Sequence, residues 1–274
     1  HIDEVPKVEF AYGDEERELI KAEAYALRAM LHFDLLRLFA PAPSTNPSGT
    51  YIPYREEFSP SVADKLTVDK FLTKVMNDIA KAKPALKYMD IEYHPDAMYA
   101  SGMNQISSGW NSRYRFDCQL YIDEMGNFFW YRGWRMNYLA LLALEARVNL
   151  YAGPTYYPTA RSAAKEIYDE YYLGKKWIGF NAAEDITAQS EFRHFKLADD
   201  VIFAAYNKNL ATDYDAALFS SDNNVKYPLA DIENLFASDN VPPYTDYRLT
   251  YILKSTNSMN KAYYTGKWSV SSEA

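Results

Sequence analysis

Between Trp110 and Arg135 the chain interleaves flat aromatic rings with hydrogen-bonding side chains. Trp110, Tyr114, Phe116, Tyr121, Phe128, Phe129, Trp130, Tyr131 and Trp134 alternate with Asn111, Arg113, Arg115, Asp117, Arg132 and Arg135. A ring offers its electron-rich face to the C–H face of a sugar, while neighbouring Asn, Asp and Arg can pair with hydroxyls. Trp110, Asn111, Tyr114, Trp130, Tyr131 and Trp134 are therefore the candidate ligand contacts. Two plainer readings stand beside this one. Arg over Trp can be simple cation–π packing, and Phe128 to Trp134 can be the aromatic first turns of a buried helix.

Other chemistry is poorly represented. His1, His32, His94 and His194 lie far apart, and none shares metal-ligand spacing with Cys118 or with acids. No Gly-rich phosphate loop, Gly-x-Ser-x-Gly elbow or His-Glu-x-x-His helix occurs. His32 lies in an apolar helix, where a satisfied flank residue is the expected role. Asp199-Asp200 and Asp90-Ile91-Glu92 are the closest acid sets, and both read as strand-end or loop acids. No catalytic residue, metal or cofactor is expected.

These residues need elements to position them. The stretch AEAYALRAMLHFDLLRLFAP, 22–41, belongs to a helix starting near Asp14 and stopped by Pro41. Asp14, Glu15 and Glu16 suit the positive end of its dipole. Leu27, Met30, Leu31, Leu35 and Leu38 form one face, and Ala22, Ala26, Ala29 and Phe33 a second. Apolar over most of its circumference, it expects neighbours on several sides. A proline-rich linker runs from Pro41 to Leu66. Thr67 caps a second helix carrying Val68, Phe71, Leu72, Val75, Met76, Ile79 and Ala82. A third is expected from about Phe128 to Ala152, closed by Gly153-Pro154, and a fourth from Thr159 to Gly174. Further on, 200–206 reads as a short strand, 208–227 as loop, 229–237 as a short helix and 249–253 as a strand. The fold expected is mainly α, with long loops and a few short strands. One domain spans 1–274, its helical core at about 14–174 and a loop-rich portion at about 175–274.

Composition narrows the function classes. A net charge of -8 across 274 residues argues against nucleic acid, which demands a concentrated positive field. The lone Cys118 excludes an internal disulfide framework. No run of apolar residues reaches the length that spans a bilayer. Opening at His1-Ile2-Asp3, without an initiator Met or export signal, the chain reads as a mature or trimmed product. With 25 Tyr, 14 Phe and 5 Trp, it suits surfaces that are part apolar and part wet.

Two segments resemble the SusD/RagB family of glycan-binding outer-membrane lipoproteins. One comprises Ala22, Glu23, Ala24, Tyr25, Leu27, Arg28 and Ala29 with Phe33, Leu35, Arg37, Leu38 and Phe39. The other is Arg135-Met136-Asn137-Tyr138 with Ala146-Arg147 and Leu150-Tyr151-Ala152-Gly153. Softer echoes are Asp200-Val201-Ile202-Phe203 with Tyr206-Asn207, and Asp246-Tyr247-Arg248-Leu249. Ala40 departs from the family's usual Gly, and the family's chains are considerably longer. The resemblance implies a tetratricopeptide-like helical repeat scaffold at the cell surface, anchored by a lipid this chain does not carry. It implies non-catalytic binding of glycan and its delivery to a SusC-like TonB-dependent transporter. These are helix-packing motifs, so they bring no glycan-contacting residue with them. A helical-repeat adaptor for a protein partner is the alternative, and a carbohydrate hydrolase the third.

Overall fold

A computed structural model describes residues 2–6, 9–98, 127–129, 131–179, 201–205, 207–219, 227–236, 253–255 and 262–265. The fold is mainly helical. The described residues fall into two compact units. The first carries the long helices: α1 (Gly13–Phe39), α2 (Val68–Lys87), the short α3 (Pro95–Met98), α4 (Tyr138–Ala152) and α5 (Tyr157–Glu166). The second carries α6 (Leu210–Phe219), α7 (Leu229–Phe236) and a small antiparallel sheet.

α1 begins with the expected acids in its first turn, and Leu19, Ala22, Ala26, Ala29, Phe33 and Leu36 form its buried stripe. Small residues there let α2 pack closely along it. Of the two expected apolar faces, the leucine face is largely exposed: Leu31 is 57% accessible, Leu38 73%, and Leu27 and Leu35 also face outward. Helical periodicity identifies two apolar faces. Close approach of α2 through the alanines decides which one is covered.

α2 follows its sequence signals. The Thr67 hydroxyl accepts from the Lys70 N–H at 3.4 Å, and Val68, Phe71, Leu72, Val75, Ile79 and Ala82 are buried. Pro84 sits inside the helix, which then widens into π-helical turns over Tyr88–Tyr93 and buries Met89 and Asp90. Asp90 is thus a buried helical acid, where a loop acid was expected. Lys83 of α2 reaches Glu145 of α4 at 2.6 Å.

The third helix starts ten residues later than expected. Phe128 lies in one 3₁₀ turn (Asn127–Phe129), Arg132–Trp134 form another, and α4 begins at Tyr138 behind the Asn137 cap. Gly153 ends α4 with φ +111°, a conformation a side chain would resist. α5 begins at Tyr157 with a proline in its first turn, two residues ahead of the expected start at Thr159. It continues as π-helical turns through Ile167–Gly174. Tyr138 of α4 donates to Glu166 at 2.7 Å, and burial with that bond raises the Tyr138 hydroxyl above the ordinary tyrosine range.

Between α1 and α2 the linker forms a small antiparallel ladder, β1 (Ile52–Pro53) with β2 (Lys65–Leu66), in the register Ile52–Leu66 and Pro53–Lys65. In the second unit β3 (Tyr227–Pro228) and β4 (Leu253–Ser255) flank β5 (Ala262–Thr265), both antiparallel to it. α7 lies where a short helix was expected. α6 occupies a stretch expected to be loop. Residues 201–205 are irregular where a strand was expected, and their carbonyls and N–H groups turn to another use.

Candidate functional site

Arg132 is among the largest fully buried side chains of the described residues. A guanidinium carries five donors and never gives up its charge, so burial demands acceptors on every side. They are present. Nε donates to Asp90 Oδ1 at 2.7 Å, and Nη2 to Asp90 Oδ2 at 3.1 Å and to the Met136 carbonyl at 2.9 Å. Nη1 donates to Glu23 Oε1. Burial opposes the Arg132 charge, but the Asp90 and Glu23 carboxylates outweigh it and push its pKa above the ordinary arginine value.

The same carboxylates hold the neighbouring chain. Asp90 Oδ2 accepts the Tyr138 N–H at 2.7 Å, which fixes the start of α4. Glu23 Oε2 accepts from Arg135 Nη2 at 2.8 Å and Nε at 3.2 Å. Arg135 in turn donates to the Phe128 carbonyl and lies 4.4 Å over the Phe128 ring. Asn137 caps α4 through the Ala140 N–H at 2.8 Å, and its amide donates to the carbonyls of Arg132 and Ile202. Ala204 N–H closes on the Gly133 carbonyl at 3.0 Å. Residues 202–204 therefore serve as a backbone brace for the turn.

What this clamp holds outward is aromatic. Tyr131 caps the 3₁₀ turn in a left-handed conformation, φ 58° and ψ 38°, and is 46% exposed. Trp134, at the end of the same turn, is 38% exposed, and its N–H bonds the Tyr131 carbonyl at 2.9 Å. A tyrosine with positive φ stores about 1–2 kcal/mol of strain and persists only where its surroundings impose it.

Of the six candidate contacts, Tyr131 and Trp134 thus share one clamped turn. Trp110, Asn111, Tyr114 and Trp130 lie outside the described residues, as do Asp199 and Asp200. Phe129 is buried as the plainer reading expects, 4.6 Å from the His94 ring and edge-on to Phe128, but in a 3₁₀ turn ahead of α4 and not in its first turns. The clamp itself escaped sequence reasoning. An acid set within the apolar run Met89-Asp90-Ile91 was the signal available for it.

A second buried cluster pins the linker between α1 and α2. Arg28 grips Asp78 through Nε at 2.5 Å and Nη2 at 2.7 Å, and donates from Nη1 to the Glu56 carbonyl at 2.7 Å. Tyr54 donates to Asp78 Oδ2 at 2.6 Å, and burial with this bond raises the Tyr54 hydroxyl above the ordinary range. His32 Nε2 accepts the Arg55 N–H at 3.1 Å, so Nδ1 carries the proton and donates to the Arg28 carbonyl at 2.9 Å. Burial lowers the His32 pKa, and the nearby Arg28 charge adds to that. His32 is a satisfied structural residue on a helix flank.

Among the described residues no group of three or more His, Cys, Asp or Glu is placed to hold a metal ion, and no helix is long and apolar enough to cross a membrane. The turn presents two partly exposed aromatic rings, Tyr131 and Trp134. Its charged groups are engaged with one another. No protein-family profile matches the chain, and no curated protein sequence matches it.

Proposed function

We propose that this chain is a non-catalytic glycan-binding protein of the SusD/RagB kind, which passes oligosaccharide to a SusC-like TonB-dependent transporter in an outer membrane. One observation carries the binding reading: Tyr131 and Trp134 are held outward on a turn that buried Arg132 clamps from beneath. A platform fixed before ligand arrives loses little conformational entropy on stacking a sugar ring. The two helix pairs, α1 with α2 and α4 with α5, suit a tetratricopeptide-like repeat scaffold on which such a turn is displayed.

Calorimetric titration with a panel of polysaccharides and oligosaccharides tests the reading. Saturable binding to at least one glycan, weakened by Tyr131→Ala and by Trp134→Ala, is the expected result. A second reading, a helical-repeat adaptor for a protein partner, is favoured by the exposed stripe of Leu27, Leu31, Leu35 and Leu38. Co-purification of a soluble protein, with no glycan bound, would support it instead.

A further inference from the structure

α4 and α5 leave between them an open trough of about 1080 Å³. The sequence builds it simply. Gly153-Pro154 ends α4 and turns the chain through the 3₁₀ turn Pro154–Tyr156 into α5. Ala160 and Ala163 are buried, while Arg161, Ala164 and Lys165 stay exposed. From α4, Arg147 and Leu150 reach the same space.

The trough has an apolar floor and a cationic rim. Leu150, Pro154 and Tyr157 supply the floor, and Leu150 leaves 62% of its surface in water. Arg147, Arg161 and Lys165 supply the rim, and none of the described residues lining the trough is acidic. This local excess of positive charge stands on a chain whose net charge is -8. Arg161 is the rim cation least engaged within the chain. Arg161 has no ion-pair partner among the described residues, and Arg147 reaches Asp34 only at 3.8 Å with both side chains about half exposed. Lys165 pairs along its own helix with Asp169.

Shape and charge together select an occupant. Small-molecule pockets enclose most of their ligand, whereas this trough is open along two helices. A third helix fits such a seat, since packed helices lie about 8–10 Å apart and interlock their side-chain ridges. Its apolar stripe would cover Leu150, Pro154 and Tyr157, and carboxylates flanking the stripe would meet the rim. The geometry points to the α4–α5 trough as a docking groove for an acidic amphipathic helix of a partner protein. This inference is independent of the glycan reading, because it concerns different residues and a different class of ligand.

The test uses a fluorescein-labelled peptide of about 18 residues, long enough to form a helix, with Leu at helical spacing and Glu on both flanks. A scrambled peptide of the same composition is the control. Anisotropy should show saturable binding of the patterned peptide to the full chain. The affinity should fall by about tenfold or more for Arg161→Glu and for Leu150→Glu, and on raising NaCl from about 50 to about 300 mM. Both substitutions sit on exposed positions, and circular dichroism establishes that each variant is folded. Equal binding of the scrambled peptide, or unchanged affinity in both folded variants, overturns the proposal. So does retention on anionic phospholipid vesicles, abolished by the same substitutions, when the patterned peptide does not bind.

Discussion

Glu23 and Arg135, 112 positions apart in the chain, are joined by hydrogen bonds of 2.8 and 3.2 Å from the guanidinium to Oε2. Each belongs to one of the two segments that resemble the SusD/RagB family. Their contact, with Arg132 on the other Glu23 oxygen and Asp90 beyond it, makes those segments two halves of one buried ionic clamp. Removing one partner from such a cluster leaves a buried charge uncompensated. Asp90→Ala should therefore cost about 3–5 kcal/mol in urea unfolding, because Arg132 has no route to water. A loss under about 1 kcal/mol would mean that the clamp is not formed in solution.

Asn137 offers a finer test. Its oxygen caps α4, while its amide donates to the Arg132 and Ile202 carbonyls at 3.0 and 3.2 Å. Asn137→Asp keeps the cap but sets a carboxylate against two carbonyls. It should be at least as destabilising as Asn137→Ala, by about 2 kcal/mol or more, whereas at an ordinary cap Asp and Asn are equivalent. Equal stability of Asn137→Asp and the parent would contradict the brace by 202–204.

His32 predicts a pH dependence. Its pKa in the fold is lowered from the ordinary 6.5, because burial and Arg28 disfavour the imidazolium and Nε2 must accept the Arg55 N–H. The unfolded chain then takes up the proton first. Stability from this group is complete above about pH 6.5 and falls as the pH drops towards the lowered value. Urea midpoints measured from pH 7.5 down to 5 should fall less steeply in His32→Gln than in the parent. Identical slopes would remove His32 from the account.

The two apolar faces of α1 should respond in opposite ways. Leu31 and Leu38 are mostly exposed, so Leu31→Gln and Leu38→Gln should leave the unfolding midpoint nearly unchanged, within about 0.5 kcal/mol. Ala26 and Ala29 have no accessible surface. Leucine at either should overpack the seam with α2 and cost about 1–3 kcal/mol. The reverse pattern would mean that the leucine face is the one buried.

The long helices were legible because their signals are local: acids at the start of α1, Thr67 before α2, Gly153-Pro154 after α4. Which face of α1 is covered was not, since that depends on how near α2 can come, and only Ala22, Ala26 and Ala29 decide it. The late start of α4 had a readable sign in Asn137, a good cap that the aromatic run before it obscured. Residues 201–205 illustrate a different limit. A short apolar run reads as a strand, yet Ile202 and Ala204 bond the turn at Asn137 and Gly133 and follow no ladder. In the candidate site, the exposed rings of Tyr131 and Trp134 were foreseeable from composition. The clamp beneath them was not, because Glu23, Asp90 and Arg132 meet only through tertiary packing.

Tyr131 carries the central claim, because its ring is one of the two that the turn exposes. Tyr131→Gly removes the ring and relaxes a φ of 58° that tyrosine resists. Calorimetric titration of glycans against the parent and this variant, with urea unfolding of both, is the most direct measurement. The account predicts a protein that stays folded and whose affinity for the parent's glycan falls about fivefold or more. A parent that binds no glycan in the panel, or a folded Tyr131→Gly variant that binds as tightly as the parent, would contradict it.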